Sequence, residues 1–114
     1  MPQILFSRYS KRSGTTFDTS IKKVYKFSML FEFDSKKSER NKIKHGIDFI
    51  EAQSLWEDPA RVLIPARTSD EPRYLLIGKI SEKHWSAVFT IRGKTVRIIS
   101  VRRCRKEEIE VYES

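Results

Sequence analysis

The chain reads as a single α+β domain of order βααββββα, an antiparallel sheet with helices packed on one of its faces. Three observations lead there. Its 114 residues suffice for one modest core and not for two. Residues 34–57 carry helix caps and an apolar stripe at helical spacing. Residues 61–101 then turn to β-branched and aromatic runs divided by short turn signals.

Taken in order, Leu30–Asp34 alternates apolar and polar residues and is short enough for an edge strand. Asp34 or Ser35 caps a first helix that runs to about His45, where Gly46 supplies the left-handed residue beyond its end. Lys42, Lys44 and His45 occupy the last turn, where positive charge complements the helix dipole. Ile43 is the only aliphatic residue of this helix, so its stability depends on docking. Asp48-Phe49-Ile50-Glu51 has the spacing of a capping box and opens a second helix. Phe49, Ala52, Leu55 and Trp56 give it one apolar face, and Asp58-Pro59 ends it. Four strands follow at Arg61–Pro65, Arg73–Ile80, Trp85–Arg92 and Thr95–Val101. The turns Ser81–His84 and Arg92-Gly93-Lys94 make neighbouring strands antiparallel. A final helix starts near Arg105, with Ile109 and Tyr112 three apart. Trp56, Trp85 and Phe89 belong to the core.

Residues 1–28 stand apart. They hold six basic residues and one acidic, with no sustained period of 2 or 3.6, and read as a flexible basic extension with a short strand near Ile21–Phe27. Met29-Leu30-Phe31 is a natural start for the compact domain 29–114, which would place residues 1–28 upstream of the working protein. The alternative is a basic arm that adds nonspecific phosphate contacts.

The formal charge of +8 calls for a polyanionic partner. A membrane is the weakest choice, because no apolar run approaches the ~18–20 residues of a span. One cysteine, Cys104, cannot form an internal disulfide, so a reducing cytoplasm is the default.

Two histidines are present. His84 reads as an exposed turn residue. His45 suits the helix end as a cap, yet imidazole is also the side chain that both accepts and donates a proton near neutrality. Arginines recur at Arg73, Arg92, Arg97, Arg102 and Arg103, and Glu71 stands two residues before the first. Pairing across the Gly93 turn brings Arg92 close to Arg97, with Arg102 toward the opposite end. Like charges facing each other in a sheet repel, so the cluster calls for an anion, and guanidinium suits phosphate. Tyr74 could stack on a base, although a core role fits it better. Arginine, histidine and glutamate without a metal-ligand cluster or a cysteine nucleophile suit cleavage of a phosphodiester by its own 2′-hydroxyl, and hence RNA. No cofactor is implied.

Assembled, the motifs resemble the BrnT family of bacterial toxins over roughly Phe31 to Tyr112. The pieces are FEFD; Asn41 with the following KHGIDFIEA; Asp58-Pro59; Glu71-x-Arg73 leading to Ile77-Gly78; Val88-Phe89-Thr90-x-Arg92-Gly93; and Arg97-Ile98-Ile99-Ser100-x-Arg102 before a charged helix. The resemblance implies a RelE-like fold and a ribonuclease toxin of a type II toxin–antitoxin module that inhibits translation. It implies a BrnA-like ribbon-helix-helix antitoxin, with DNA reached only through that antitoxin, and a toxin–antitoxin heterotetramer. Its site roles fall on His45, Glu71, Arg73, Arg92 and Arg102 as catalytic residues. Lys44, Tyr74, Arg97 and Arg103 are the candidates for substrate binding. The chain departs from the family in its 28-residue leader, at Val101-Arg102-Arg103-Cys104 and at Glu107-Glu108. The rival readings are a noncatalytic basic nucleic-acid-binding module and an inactivated toxin that survives as a co-repressor with its antitoxin.

Overall fold

In the computed structural model, which describes residues 21–26, 29–66 and 70–114, the LFEF run is an interior strand. Strand β1 (Ile21–Lys26) pairs antiparallel with β2 (Met29–Asp34) along its length, and β1 takes the edge. The sheet continues through β6 (Thr95–Arg103), β5 (Lys83–Arg92), β4 (Arg73–Ile80) and β3 (Val62–Ala66), in the order β1-β2-β6-β5-β4-β3. Strand β2 runs parallel to β6 through Leu30–Glu32 and Thr95–Arg97, while all other pairs are antiparallel. The sheet is therefore mixed, which corrects the expectation of a purely antiparallel one. The parallel pair requires a long crossover, supplied by everything between β2 and β6. Strand β2 is interior because both of its faces are buried: Phe31 and Phe33 on one, Leu30 and Glu32 on the other.

Helix α1 (Ser35–His45) keeps the ends expected of it. The Asp34 carboxylate accepts from the Lys36 and Lys37 N–H groups at 2.8 and 3.3 Å. Gly46, at φ 84°, donates its N–H to the Lys42 carbonyl. The helix docks through polar groups, since only Ser38 and Asn41 are buried. Ser38 Oγ accepts from Phe49 N–H at 2.9 Å. Asn41 donates to the Ile47 and Val101 carbonyls, both at 2.8 Å, and accepts from Val101 N–H at 3.2 Å. Its amide thus stands where a neighbouring strand would satisfy β6. Ile43 points away and is 85% exposed.

The second helix is a 3-10 helix, Glu51–Glu57, rather than an α-helix. The capping-box contacts form: Asp48 accepts from Ile50 and Glu51 N–H, and Glu51 accepts from Asp48 N–H. The stripe Phe49, Ala52, Leu55 repeats every three residues, the period of a 3-10 turn. It lies against Phe31, Phe33, Leu76, Ala87, Phe89, Val96 and Val101 in one core. Edge-to-face rings knit that core at 5.2 Å for Phe31–Trp56 and Trp56–Phe89, and 5.8 Å for Phe33–Phe49. Gly78 lets the 3-10 helix approach β4, for a Cβ there would stand 3.1 Å from Leu55 Cδ2.

The last helix, α2 (Lys106–Glu113), does not join that layer. Its Glu108 reaches Ser86 and Arg102, and its Tyr112 meets the His84 ring. Those strand residues alternate with core-facing Trp85, Ala87 and Val101, so α2 covers the opposite face. The helices therefore divide between the two faces instead of sharing one. A bulge sets this alternation: Val88 pairs with Ser100 but Phe89 with Ile98, leaving Ile99 extra. It returns Val101 to the core and Arg102 to the α2 side.

Candidate active site

On the face opposite the main core, the start of β4, the end of β5 and the start of β6 gather charge. Arg92 pairs with Thr95 and Arg97 with Thr90, so the two arginines are diagonal neighbours on one face rather than opposite each other. Each has a carboxylate. Arg97 donates to Glu32 at 2.7 Å, and Arg92 lies 3.7 Å from Glu71. The repulsion expected between them is thus answered within the protein, by residues from β2 and from the loop before β4. Glu32 is 1% exposed, and its second oxygen has no hydrogen-bond partner. Sequence reasoning missed Glu32; the signal was a lone carboxylate inside an otherwise apolar strand, which demands a partner once the strand is interior.

Thr90 Oγ1 donates to the Pro72 carbonyl at 2.6 Å, which ties Glu71-Pro72-Arg73 to β5. Arg73 opens β4 one place before the Tyr74–Phe89 pair and is exposed. Alternation sets its side chain on the face of Arg92 and Arg97. Tyr74 is on the other face, its ring 5.5 Å from Phe89 and partly buried against the core.

Arg102 shares the face of Arg92 but not its neighbourhood. It pairs with Ser86, six residues along β5 from Arg92, roughly 20 Å at strand rise. Its guanidinium is held in a two-pronged pair with Glu108, at 2.9 and 2.8 Å. Ser86 Oγ and the Arg105 N–H also donate to that carboxylate. The Arg102 hydrogen bonds lead in lowering the Glu108 carboxyl to about 2, and Glu108 in turn raises Arg102. Burial pushes the adjacent Cys104 thiol up, although Ser86 and two arginines oppose it. Arg103 turns to the core side and lies 5.5 Å over the Trp85 ring. His84, expected as an exposed turn residue, is under α2 instead: 15% exposed, 2.8 Å from Glu113 and edge-on to Tyr112 at 5.1 Å.

His45 and Lys44 lie apart from these residues, at the end of α1. They line a cleft of about 330 Å³ against Ile99 and Ser100 of β6, with Lys37, Arg40 and Asn41. The fold thus unites Glu71, Arg73, Arg92 and Arg97, and places His45 with Lys44 in one separate location and Arg102 in another. Among the described residues no three His, Cys, Asp or Glu side chains group as metal ligands, and no helix is long and apolar enough to cross a membrane.

Residues 33–108 match the family model described as ribonuclease toxin, BrnT, of type II toxin–antitoxin system. That span holds every candidate residue read from the sequence, while Glu32 lies just before it. No curated protein matches the chain.

Proposed function

Since the chain belongs to the BrnT family of ribonuclease toxins of type II toxin–antitoxin systems, we propose that it is a metal-independent endoribonuclease whose reaction centres on Glu71, Arg73 and Arg92. The supporting observation is the 3.7 Å approach of Glu71 to Arg92, from separate elements, beside the exposed Arg73. At that separation the pair is a charge contact and not a hydrogen bond. The Arg92 N–H groups therefore remain able to bind phosphate.

In this reading Glu71 takes the proton of a ribose 2′-hydroxyl as its oxygen attacks the adjacent phosphorus. The bond to the 5′-oxygen breaks, water protonates the leaving alkoxide, and a 2′,3′-cyclic phosphate and a 5′-hydroxyl result. Arg73 and Arg92 bind the nonbridging oxygens, where negative charge grows. Arg97, anchored by Glu32, supplies fixed positive potential beside them. Glu71 is preferred to His45 as the base because it alone stands against a phosphate-binding arginine. Arg102 acts by fastening α2.

Cutting of cellular RNA would inhibit translation in the cytoplasm, and a BrnA-like ribbon-helix-helix antitoxin would neutralise the toxin. The closure of Arg102 on Glu108 favours one second reading, an inactivated toxin that serves as co-repressor with that antitoxin.

The test is cleavage of purified RNA by the full chain in EDTA, with Glu71→Gln and Arg73→Ala beside it. Loss of one charge-stabilising donor is worth about 2.7–4 kcal/mol in the barrier, so Arg73→Ala should cut at least ~100-fold more slowly. Glu71→Gln should lose ~100-fold or more as well. Wild-type rates in both folded variants would sink the assignment, and no cutting by wild type, with or without ribosomes, would favour the co-repressor.

A further inference from the structure

Helix α1 carries its charge in an unusual place. Lys37, Arg40, Lys44 and His45 recur at helical spacing and line one side of the cleft against β6. No carboxylate lines that cleft. None of the four forms an ion pair with a described residue, whereas Lys42, one stripe away, is bound to Glu51 at 2.9 Å. Arg92, Arg97 and Arg102 likewise each have a glutamate. The dipole favours Lys44 and His45 in the last turn, and the Asp34 carboxylate caps the first turn, where Lys37 lies. Mutual repulsion among the four still disfavours their crowding, and an anion in the cleft would offset it.

The cleft has room for one. Its volume of about 330 Å³ falls within the ~300–1,000 Å³ of small-ligand sites. Its far wall is Ile99 and Ser100, at the bulge of β6. Ser100 pairs with Val88 and so faces the side that carries Arg92 and Arg97. It lies three residues from Arg97 along the strand, roughly 10 Å. The cleft is thus joined to the proposed reaction site by one short stretch of β6.

We infer that the α1–β6 cleft is a second phosphate subsite, in which Lys37 and Arg40, with Lys44 and His45, hold an RNA backbone phosphate outside the scissile linkage. This rests on the ribonuclease reading for its biological purpose. Its binding claim can be tested without any cleavage. An acidic protein segment would meet the same charges, but the link through Ser100 to the arginine end favours a continuous RNA strand.

The experiment measures binding of the full chain to a fluorescein-labelled 2′-O-methyl oligoribonucleotide of twelve residues, which cannot be cut, across a salt series. Lys37→Gln/Arg40→Gln is compared with wild type and with Lys83→Gln/Lys106→Gln, which removes the same net charge elsewhere. Loss of that one phosphate contact should make the slope of log K against log salt shallower by about 0.7 on a single strand. At 0.1 M salt the same loss should weaken binding about 5-fold. The control pair should leave the slope near that of wild type. Lys44→Gln should lower the slope by no more than the double variant does, and thermal melts confirm that each variant is folded. Equal slopes for the two double variants would overturn the inference by reducing the cleft to net charge. Unchanged RNA binding by Lys37→Gln/Arg40→Gln, with lost binding of a polyglutamate peptide, would overturn it in favour of a protein partner. A wild type that binds with these slopes but cuts no RNA would retain the subsite and remove the catalytic reading.

Discussion

Replacing Glu108 by Gln should detach the last helix from the sheet at a cost that varies with pH. The side chain keeps its shape but loses the charge that Arg102 grips at 2.8 and 2.9 Å. That grip, aided by Ser86 and the Arg105 N–H and opposed by burial, holds the carboxyl at about 2 rather than 4.5. At 1.36 kcal/mol per pH unit, the difference is worth roughly 3.4 kcal/mol at full strength. Water reaches both partners, 25% and 15% exposed, and screening reduces the expectation to about 2 kcal/mol. A domain of this size should then melt about 10 °C lower. The folded carboxyl is the stronger acid, so its stabilisation is complete above about pH 4.5 and is lost as the pH falls toward 2. Urea unfolding of wild type and Glu108→Gln at pH 7 and pH 2.5 measures both quantities. The gap should be about 2 kcal/mol at pH 7 and should shrink markedly at pH 2.5. A gap below about 0.5 kcal/mol at pH 7, the size of an ordinary surface change, would refute the clamp. So would a gap that ignores pH. The same variant separates two roles for Arg102: if Arg102→Gln abolishes RNA cleavage while Glu108→Gln leaves it intact, Arg102 serves the substrate and not α2.

Two further outcomes test other joints of the fold. Asn41→Ala removes three buried hydrogen bonds and strands the Val101 N–H and two carbonyls, which should cost about 2–4 kcal/mol in urea unfolding; a loss under about 1 kcal/mol would mean water replaces the amide. Tyr112, whose hydroxyl donates to Asp58 at 2.7 Å, should ionise at about 12, chiefly because of that bond. The stabilisation it gives is present below the ordinary 10 and lost as pH rises through about 12. A phenolate titration read as the difference from Tyr112→Phe checks it, and an ionisation near 10 would mean the bond to Asp58 is absent.

Much of this molecule is written in neighbouring residues. Asp34, Gly46, Asp48 and Gly93 each act within a few positions of their own backbone, and each does locally what its residue type dictates, Gly46 and Gly93 at φ 84° and 65° among them. The family likeness, the four strands after residue 61 and the polar character of α1 were legible for the same reason. The 3-10 form of Glu51–Glu57 was half legible: the three-residue stripe was visible, but the preference for it over an α-turn comes from packing under β2, β4 and β5.

What the sequence could not supply is where long-range charges meet. Glu32 and Arg97 are 65 residues apart and become partners only because β2 enters the sheet parallel to β6. Arg102 looked equivalent to Arg92 and Arg97, yet the Ile99 bulge and the placement of α2 bind it to Glu108 instead. His45 and Glu71 read as members of one site, yet His45 lines the cleft between α1 and β6 while Glu71 meets Arg92 at the end of β5. A side chain's type and its local backbone preference act over one turn of chain, whereas strand order, register and the face a helix covers are settled by which burial of apolar surface succeeds for the whole domain. The charged residues follow that choice, and the candidate chemistry follows them.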